Sequence, residues 1–307
     1  NTYVWLEQLS RHYGFTIDTL DKIPEAELQN LFKRGFNALW LIGLWERSKA
    51  SENIKKLCGN PEAAASAYSL ADYAISRDLG GEVAFQVLKE KAAKYKIRLA
   101  GDMVPNHMGI DSWWVCQNPD WFISTETCPF QHYTFNGVDL SPDSRCSIYL
   151  EDHYYEKSDA AVTFKYVDKR HGGVNYIYHG NDGTDLPWND TAQLNFLRQD
   201  VREQVINTII EVAKRFPIIR FDAAMTLAKK HYHRLWFPEP GHGGDIATRS
   251  WFGMSREEFD RHIPEEFWRE VVDRIAEEVP DTLLLAEAFW LMEGYFVRSL
   301  GMHRVYN

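Results

Sequence analysis

Two carboxylates in this 307-residue sequence stand where acid–base or nucleophilic chemistry would place them. In Ile218-Ile219-Arg220-Phe221-Asp222, strand alternation sends Arg220 and Asp222 to one face and Ile219 and Phe221 to the other. A charge on the inner face of a buried strand is costly unless paired. Arg220 is therefore the expected partner of Asp222 and would keep it ionised at neutral pH. In Leu283-Leu284-Leu285-Ala286-Glu287 the carboxyl of Glu287 ends an apolar row and precedes Phe289 and Trp290. Left unpaired there, it would have a raised pKa and stay protonated. One ionised and one protonated carboxyl across a cleft is the pair that retaining glycoside hydrolysis uses. The first attacks the anomeric carbon and the second protonates the leaving oxygen, with the carboxyls ~5–5.5 Å apart. The competing reading of Arg220 and Asp222 is a structural ion pair. A third polar strand end, Gly101-Asp102-Met103-Val104-Pro105-Asn106, puts Asp102, Val104 and Asn106 on one face, and His107 opens the loop after it.

Such groups need parallel strands to carry them. Strand patterns fall at residues 2–9, 37–44, 98–104, 218–222 and 282–287. Helical patterns fall at 23–34, 82–95, 200–215, 255–258, 264–279 and 291–300. This alternation predicts an α/β fold with a parallel sheet. A doubly wound sheet would carry a Gly-rich phosphate loop after its first strand, and the turn at residues 10–15 has none. The expected architecture is a TIM (β/α)8-type barrel, incomplete at about five strand–helix units, with polar residues at the C-terminal strand ends. Residues 1–107 would form the first part of the barrel (strands 1–3) and 190–307 its continuation (strands 4–5). The remaining barrel strands would be absent. Residues 108–189 break the alternation and, being rich in Trp, Tyr and His, read as an inserted loop-rich subdomain after strand 3.

Composition narrows the function. The net charge of −10 argues against binding nucleic acid through phosphate contacts. Aromatic residues make up 14%, including 11 Trp and 15 Tyr, and flat rings suit stacking on sugars. No apolar run is long enough to span a bilayer, so no membrane partner is expected. Without a signal-peptide pattern the expected location is the cytoplasm, with secretion left open because the native N-terminus is not seen. Asn1 stands where an initiator Met would, so the chain is expected to be part of something longer. Cys58, Cys116, Cys128 and Cys146 lack zinc spacing and are expected as free thiols, a local disulfide being the alternative.

The segments Asp102-Met103-Val104-Pro105-Asn106-His107, Arg220-Phe221-Asp222-Ala223-Ala224 and Leu285-Ala286-Glu287 resemble, in order, the first three conserved regions of the α-amylase superfamily, glycoside hydrolase family 13. Residues 67–73 and 78–81 resemble that family's segment before the first region. The resemblance covers nearly the whole chain. It implies an α-amylase-like retaining glycoside hydrolase or transglycosidase acting on α-1,4-glucans or malto-oligosaccharides. Asp222 would be the nucleophile, Glu287 the general acid/base, and Arg220 the holder of Asp222. His107 would hydrogen-bond the sugar before the scissile bond, and Tyr68 would stack on it. Asp102 and Asn106 would be structural, with Asn106 a candidate calcium ligand; no cofactor is required, and calcium is the one considered.

Two departures bear on activity. Met225-Thr226 stand where many members carry Lys-His, leaving transfer to a sugar acceptor as open as hydrolysis. The fourth region, whose Asp is the third catalytic carboxylate, is expected in a continuation of the parent polypeptide beyond Asn307. The alternative is a truncated, inactive α-glucan-binding protein.

Other patterns have plainer readings. Residues 181–185 read as a solvated turn more than a calcium loop, His231 and His233 as surface residues, and 240–245 as a rim loop. Trp113, Trp114 and Trp121 fit either a sugar platform or the core of the insertion.

Overall fold

The computed structural model describes residues 1–184 and 186–306; Asp185 of the expected turn and Asn307 lie outside them. Its centre is a five-stranded parallel sheet. The strands, in chain order and in spatial order alike, are β1 (Ala38–Trp40), β2 (Arg98–Met103), β3 (Ile218–Phe221), β4 (Leu283–Glu287) and β5 (Arg304–Tyr306). Sequential parallel strands with helical connections, laid side by side without a reversal of order, make a half-barrel rather than a doubly wound sheet.

The count of five is met, but not by the expected five. Residues 2–9 belong to the helix Thr2–Tyr13, not to a strand. Its buried residues Thr2, Leu6 and Leu9 recur at a helical spacing. Asn1 caps it by accepting the N–H of Val4, and Gly14, at φ 75°, ends it in the left-handed conformation. The fifth strand is Arg304–Tyr306 instead, which carries little strand pattern and is recruited by pairing with β4. The strands ending at Asp102, Asp222 and Glu287 are thus second, third and fourth in the sheet. The apolar run at 37–44 also splits: after β1 the chain turns into Trp45–Arg47, which pairs antiparallel with Leu70–Ile75.

The outer face of the three central strands is buried beneath helices. Phe221 meets Trp268 of helix Phe267–Glu278 edge-on, with ring centroids 5.0 Å apart. Helix Gln199–Arg215 turns Val201, Val205, Ile209 and Val212 inward at three- and four-residue spacing. In β4, Leu284 and Ala286 are buried on this side while Leu283, Leu285 and Glu287 are half-buried on the other. Alternation therefore holds, and the inner face is the more open one.

Between β2 and helix Gln199–Arg215 the chain is not merely loop-rich. Ser124–Thr125, Cys146–Tyr149, Thr163–Asp168 and Val174–Tyr178 form a four-stranded antiparallel sheet. Trp114 is buried within this region, and Trp121 packs edge-on against it at 5.4 Å. Trp113 is exposed, with its indole N–H on Asp72. All four cysteines are free, and Cys116 and Cys146 have their sulfurs 3.1 Å apart. Among the described residues, no helix is long and apolar enough to cross a membrane.

Candidate active site

β3 and β4 lie side by side, with Arg220 level with Leu285, so Asp222 and Glu287 emerge from adjacent strand ends. On the other flank Arg220 is level with Asp102 of β2. One guanidinium consequently serves three carboxyls. Its Nη1 lies 2.6 Å from Asp222 Oδ1 and 3.3 Å from Asp102 Oδ1, and its Nη2 lies 2.8 Å from Glu287 Oε2. The side chains of Asp222 and Glu287 are 12% and 16% exposed, against 5% for Arg220 and 2% for Asp102. The first two reach solvent; the others lie beneath them. The guanidinium is flanked by the rings of Trp40, Tyr68 and Tyr306 at 5.3, 5.3 and 5.8 Å, close enough for cation–π attraction.

This geometry corrects the expected protonation pattern. Glu287 is not unpaired: besides Arg220, its Oε2 accepts the backbone N–H of Ala223 at 2.8 Å. Asp222 is pushed above the ordinary carboxyl range by burial, with Arg220 opposing, rather than held in it by the ion pair. Arg220 bridges the pair instead of belonging to Asp222.

A pocket of about 490 Å³ opens over them, lined by Tyr68, His107, Trp188, Asp222, Met225 and Glu287 among others. Of the residues singled out in the sequence, Tyr68, His107, Asp222 and Glu287 face it together, while Arg220, Asp102 and Asn106 support from below. Burial pushes the Tyr68 hydroxyl up to about 12. His107 is fully buried and pushed down to about 4 by that burial, with the Tyr68 carbonyl opposing. Both its ring nitrogens already have protein partners. Nε2 is 3.1 Å from the Tyr68 carbonyl oxygen, to which it can only donate, and Nδ1 is 3.4 Å from Asn106 Nδ2. In this arrangement the ring fixes the segment bearing Tyr68.

Asn106 is held in a reciprocal amide pair. Its Nδ2 donates to Gln193 Oε1 at 3.1 Å, and Gln193 Nε2 donates to its Oδ1 at 3.0 Å. Gln193 lies in Thr191–Gln193, which pairs antiparallel with His107–Gly109. A calcium ion needs several oxygens turned toward it. The oxygen of Asn106 meets an amide donor instead, so these residues do not fit the ion. Among the described residues, no three His, Cys, Asp or Glu side chains are grouped to hold a metal.

His231 and His233, expected at the surface, are buried. His231 packs on the Trp290 ring at 4.8 Å, and His233 on Phe259 with Nε2 2.8 Å from the Met254 carbonyl. The helix Lys229–Trp236 that carries them is covered on more than one side, with Tyr232, Leu235 and Trp236 buried as well. Sequence reasoning missed Trp188, whose ring lies 5.1 Å from that of His107, and the rings around Arg220. Trp40 could have been found, as an aromatic residue in a buried strand pattern. Tyr306 gave no such signal.

No family profile matches the sequence, and no curated protein matches it. Solved structures do match. A family GH13_31 enzyme is 18% identical with a TM-score of 0.57, over 94% of this chain and 48% of its own. An α-glucosyl transfer enzyme is 16% identical with a TM-score of 0.58, over 95% and 50%. A cyclic α-maltosyl-(1→6)-maltose hydrolase from Arthrobacter globiformis is 16% identical with a TM-score of 0.54, over 94% and 46%. The chain therefore has the fold of part of a family 13 α-amylase-type enzyme, and it spans about half the length of the structures it matches.

Proposed function

We propose that this chain is part of a retaining glycoside hydrolase or transglycosidase of the α-amylase family, acting on α-glucans or malto-oligosaccharides. The observation that carries the reading is the placement of Asp222 and Glu287 on adjacent strand ends, joined by Arg220 and facing one pocket with Tyr68. Asp222 attacks the anomeric carbon while Glu287 protonates the departing oxygen. Glu287 then deprotonates the water or sugar hydroxyl that releases the glycosyl group. Arg220 holds both carboxyls in place. Tyr68 offers its ring to the sugar, and His107, tied to the Tyr68 carbonyl, keeps that ring in position.

Met225 lines the pocket, where the family resemblance would put the acceptor, and an apolar surface would not itself deliver water. Transfer to a sugar hydroxyl is therefore as compatible with the site as hydrolysis. A second reading is a non-catalytic α-glucan-binding protein, which would use the rings of Tyr68 and Trp188 that line the same pocket.

The deciding experiment is mass spectrometry of the full-length protein incubated with a slow α-glucosyl substrate that traps the glycosyl-enzyme. A glycosylated peptide containing Asp222, absent in Asp222→Asn, is the expected result. Turnover that survives intact in Asp222→Asn would sink the catalytic assignment. Glucan binding without turnover or adduct would favour the binding protein.

A further inference from the structure

Arg220 is shared by three carboxyls, and they are not served equally. Asp222 has the guanidinium at 2.6 Å. Glu287 has it at 2.8 Å and a backbone N–H at 2.8 Å. Asp102 has a single long contact at 3.3 Å, and its Oδ2 is buried with no hydrogen-bond partner. The indole Nε1 of Trp40, which lies near enough to influence Asp102, is likewise buried without a well-formed hydrogen bond. If all three were ionised, three negative charges would face one positive charge in a buried site. Burying an uncompensated carboxylate is costly, whereas its protonated form is far cheaper to bury.

We propose that Asp102 holds a proton at neutral pH and so acts as a positioning residue, leaving the charge of Arg220 to Asp222 and Glu287. Of the groups facing it, Arg220 and the Trp40 indole favour its charge, and burial and Asp222 oppose it. Asp222 repels its charge from the end of β3, Tyr68 adds none while protonated, and Arg220 supplies the single opposing cation. Burial pushes Asp102 up to about 7, with Arg220 opposing and Asp222 reinforcing. Burial also raises Asp222, so the two sites compete for the proton. Each accepts one hydrogen bond from Arg220, and the longer bond together with the unpartnered, buried Oδ2 favours Asp102. Once Asp102 ionises, it draws on the same Nη1 that holds Asp222. The catalytic consequence rests on the function proposed above; the position of the proton does not.

The test is infrared spectroscopy of the full-length protein across pH 5–9, reading the carbonyl stretch of a protonated carboxyl. In the difference between the wild type and Asp102→Asn, which leaves out any band of Glu287, a band that fades through pH about 7 is expected. In Asp222→Asn the band should persist, its midpoint moved down in pH because one neighbouring negative charge is gone. With the band that Glu287→Gln removes set aside, identical carboxyl bands above pH 5 in the wild type and Asp102→Asn overturn the proposal. So does complete loss of the Asp102 band in Asp222→Asn. Where turnover is measurable, kcat of the wild type should fall above pH about 7 while Asp102→Asn holds its rate to about pH 8. Parallel profiles would remove the positioning role. A wild type with no turnover would count against the enzyme reading and leave the spectroscopic result standing.

Discussion

The backbone N–H of Ala223 donates to Glu287 Oε2 at 2.8 Å, and it does so from a left-handed conformation with φ 44°. The residue after Asp222 thus turns sharply to aim its amide at the second carboxyl, tying the two strand ends through the main chain as well as through Arg220. An L-residue other than Gly pays for that turn in steric strain.

Ala223→Gly should relieve the strain and keep the hydrogen bond, stabilising the protein by about 1 kcal/mol. Denaturant unfolding measures this directly. A destabilised glycine variant would mean that the Ala223 methyl group, not its amide, is what the site needs.

Arg220 is the sole cation in contact with Asp222 and Glu287 among the described residues. Arg220→Met leaves Asp102, Asp222 and Glu287, the first of them fully buried, without it and should cost about 3–5 kcal/mol at neutral pH. Arg220→Lys should recover only part, because an ammonium cannot span two carboxyls as the guanidinium fork does. Equal stability of the lysine variant and the wild type would show that bridging is unimportant.

Gly180 lies against the wall of the pocket. A Cβ there would sit 2.7 Å from Thr191 Oγ1, 3.0 Å from the Trp188 ring and 3.3 Å from His107 Cβ. Gly180→Ala should therefore cost about 1–3 kcal/mol through overpacking and shift the fluorescence of Trp188. Unchanged stability and emission would show that this wall can give way.

His107 and His179 are fully buried, and burial pushes both down to about 4. Their folded values lie below the unfolded one of about 6.5, so the unfolded chain binds more protons between those limits. Their contribution is present in full above pH about 6.5 and is lost as pH falls toward 4. By NMR, both rings should stay neutral from pH 8 down to about 5. Titration of either ring near 6.5 in the folded protein would contradict the burial seen here.

Local sequence pattern was enough for the layers and for the two faces of the strands. Period-two alternation put Arg220 and Asp222 on one face and Phe221 on the other, because a strand leaves a side chain no alternative once one face is covered. The helices at Glu25–Lys33, Gly81–Lys94 and Gln199–Arg215 were legible from local signals: Pro24 and helix-forming residues for the first, Gly80-Gly81 at the start of the second, and amphipathic spacing in the third. Other features are not local. Residues 2–9 fit two periods at once, and only burial of Leu6 and Leu9 beneath the rest of the chain makes them helical. Arg304–Tyr306 becomes a strand because β4 offers it an edge.

The same holds at the site. Nothing near Glu287 in sequence shows that Arg220, 67 residues earlier, reaches it, nor that the Ala223 amide does. Nothing near Asn106 shows that Gln193 occupies its oxygen. Which residues could react was written in their types and spacing. Which charge each one meets, and hence which carboxyl holds a proton, depends on distances across strands, and only tertiary packing decides those.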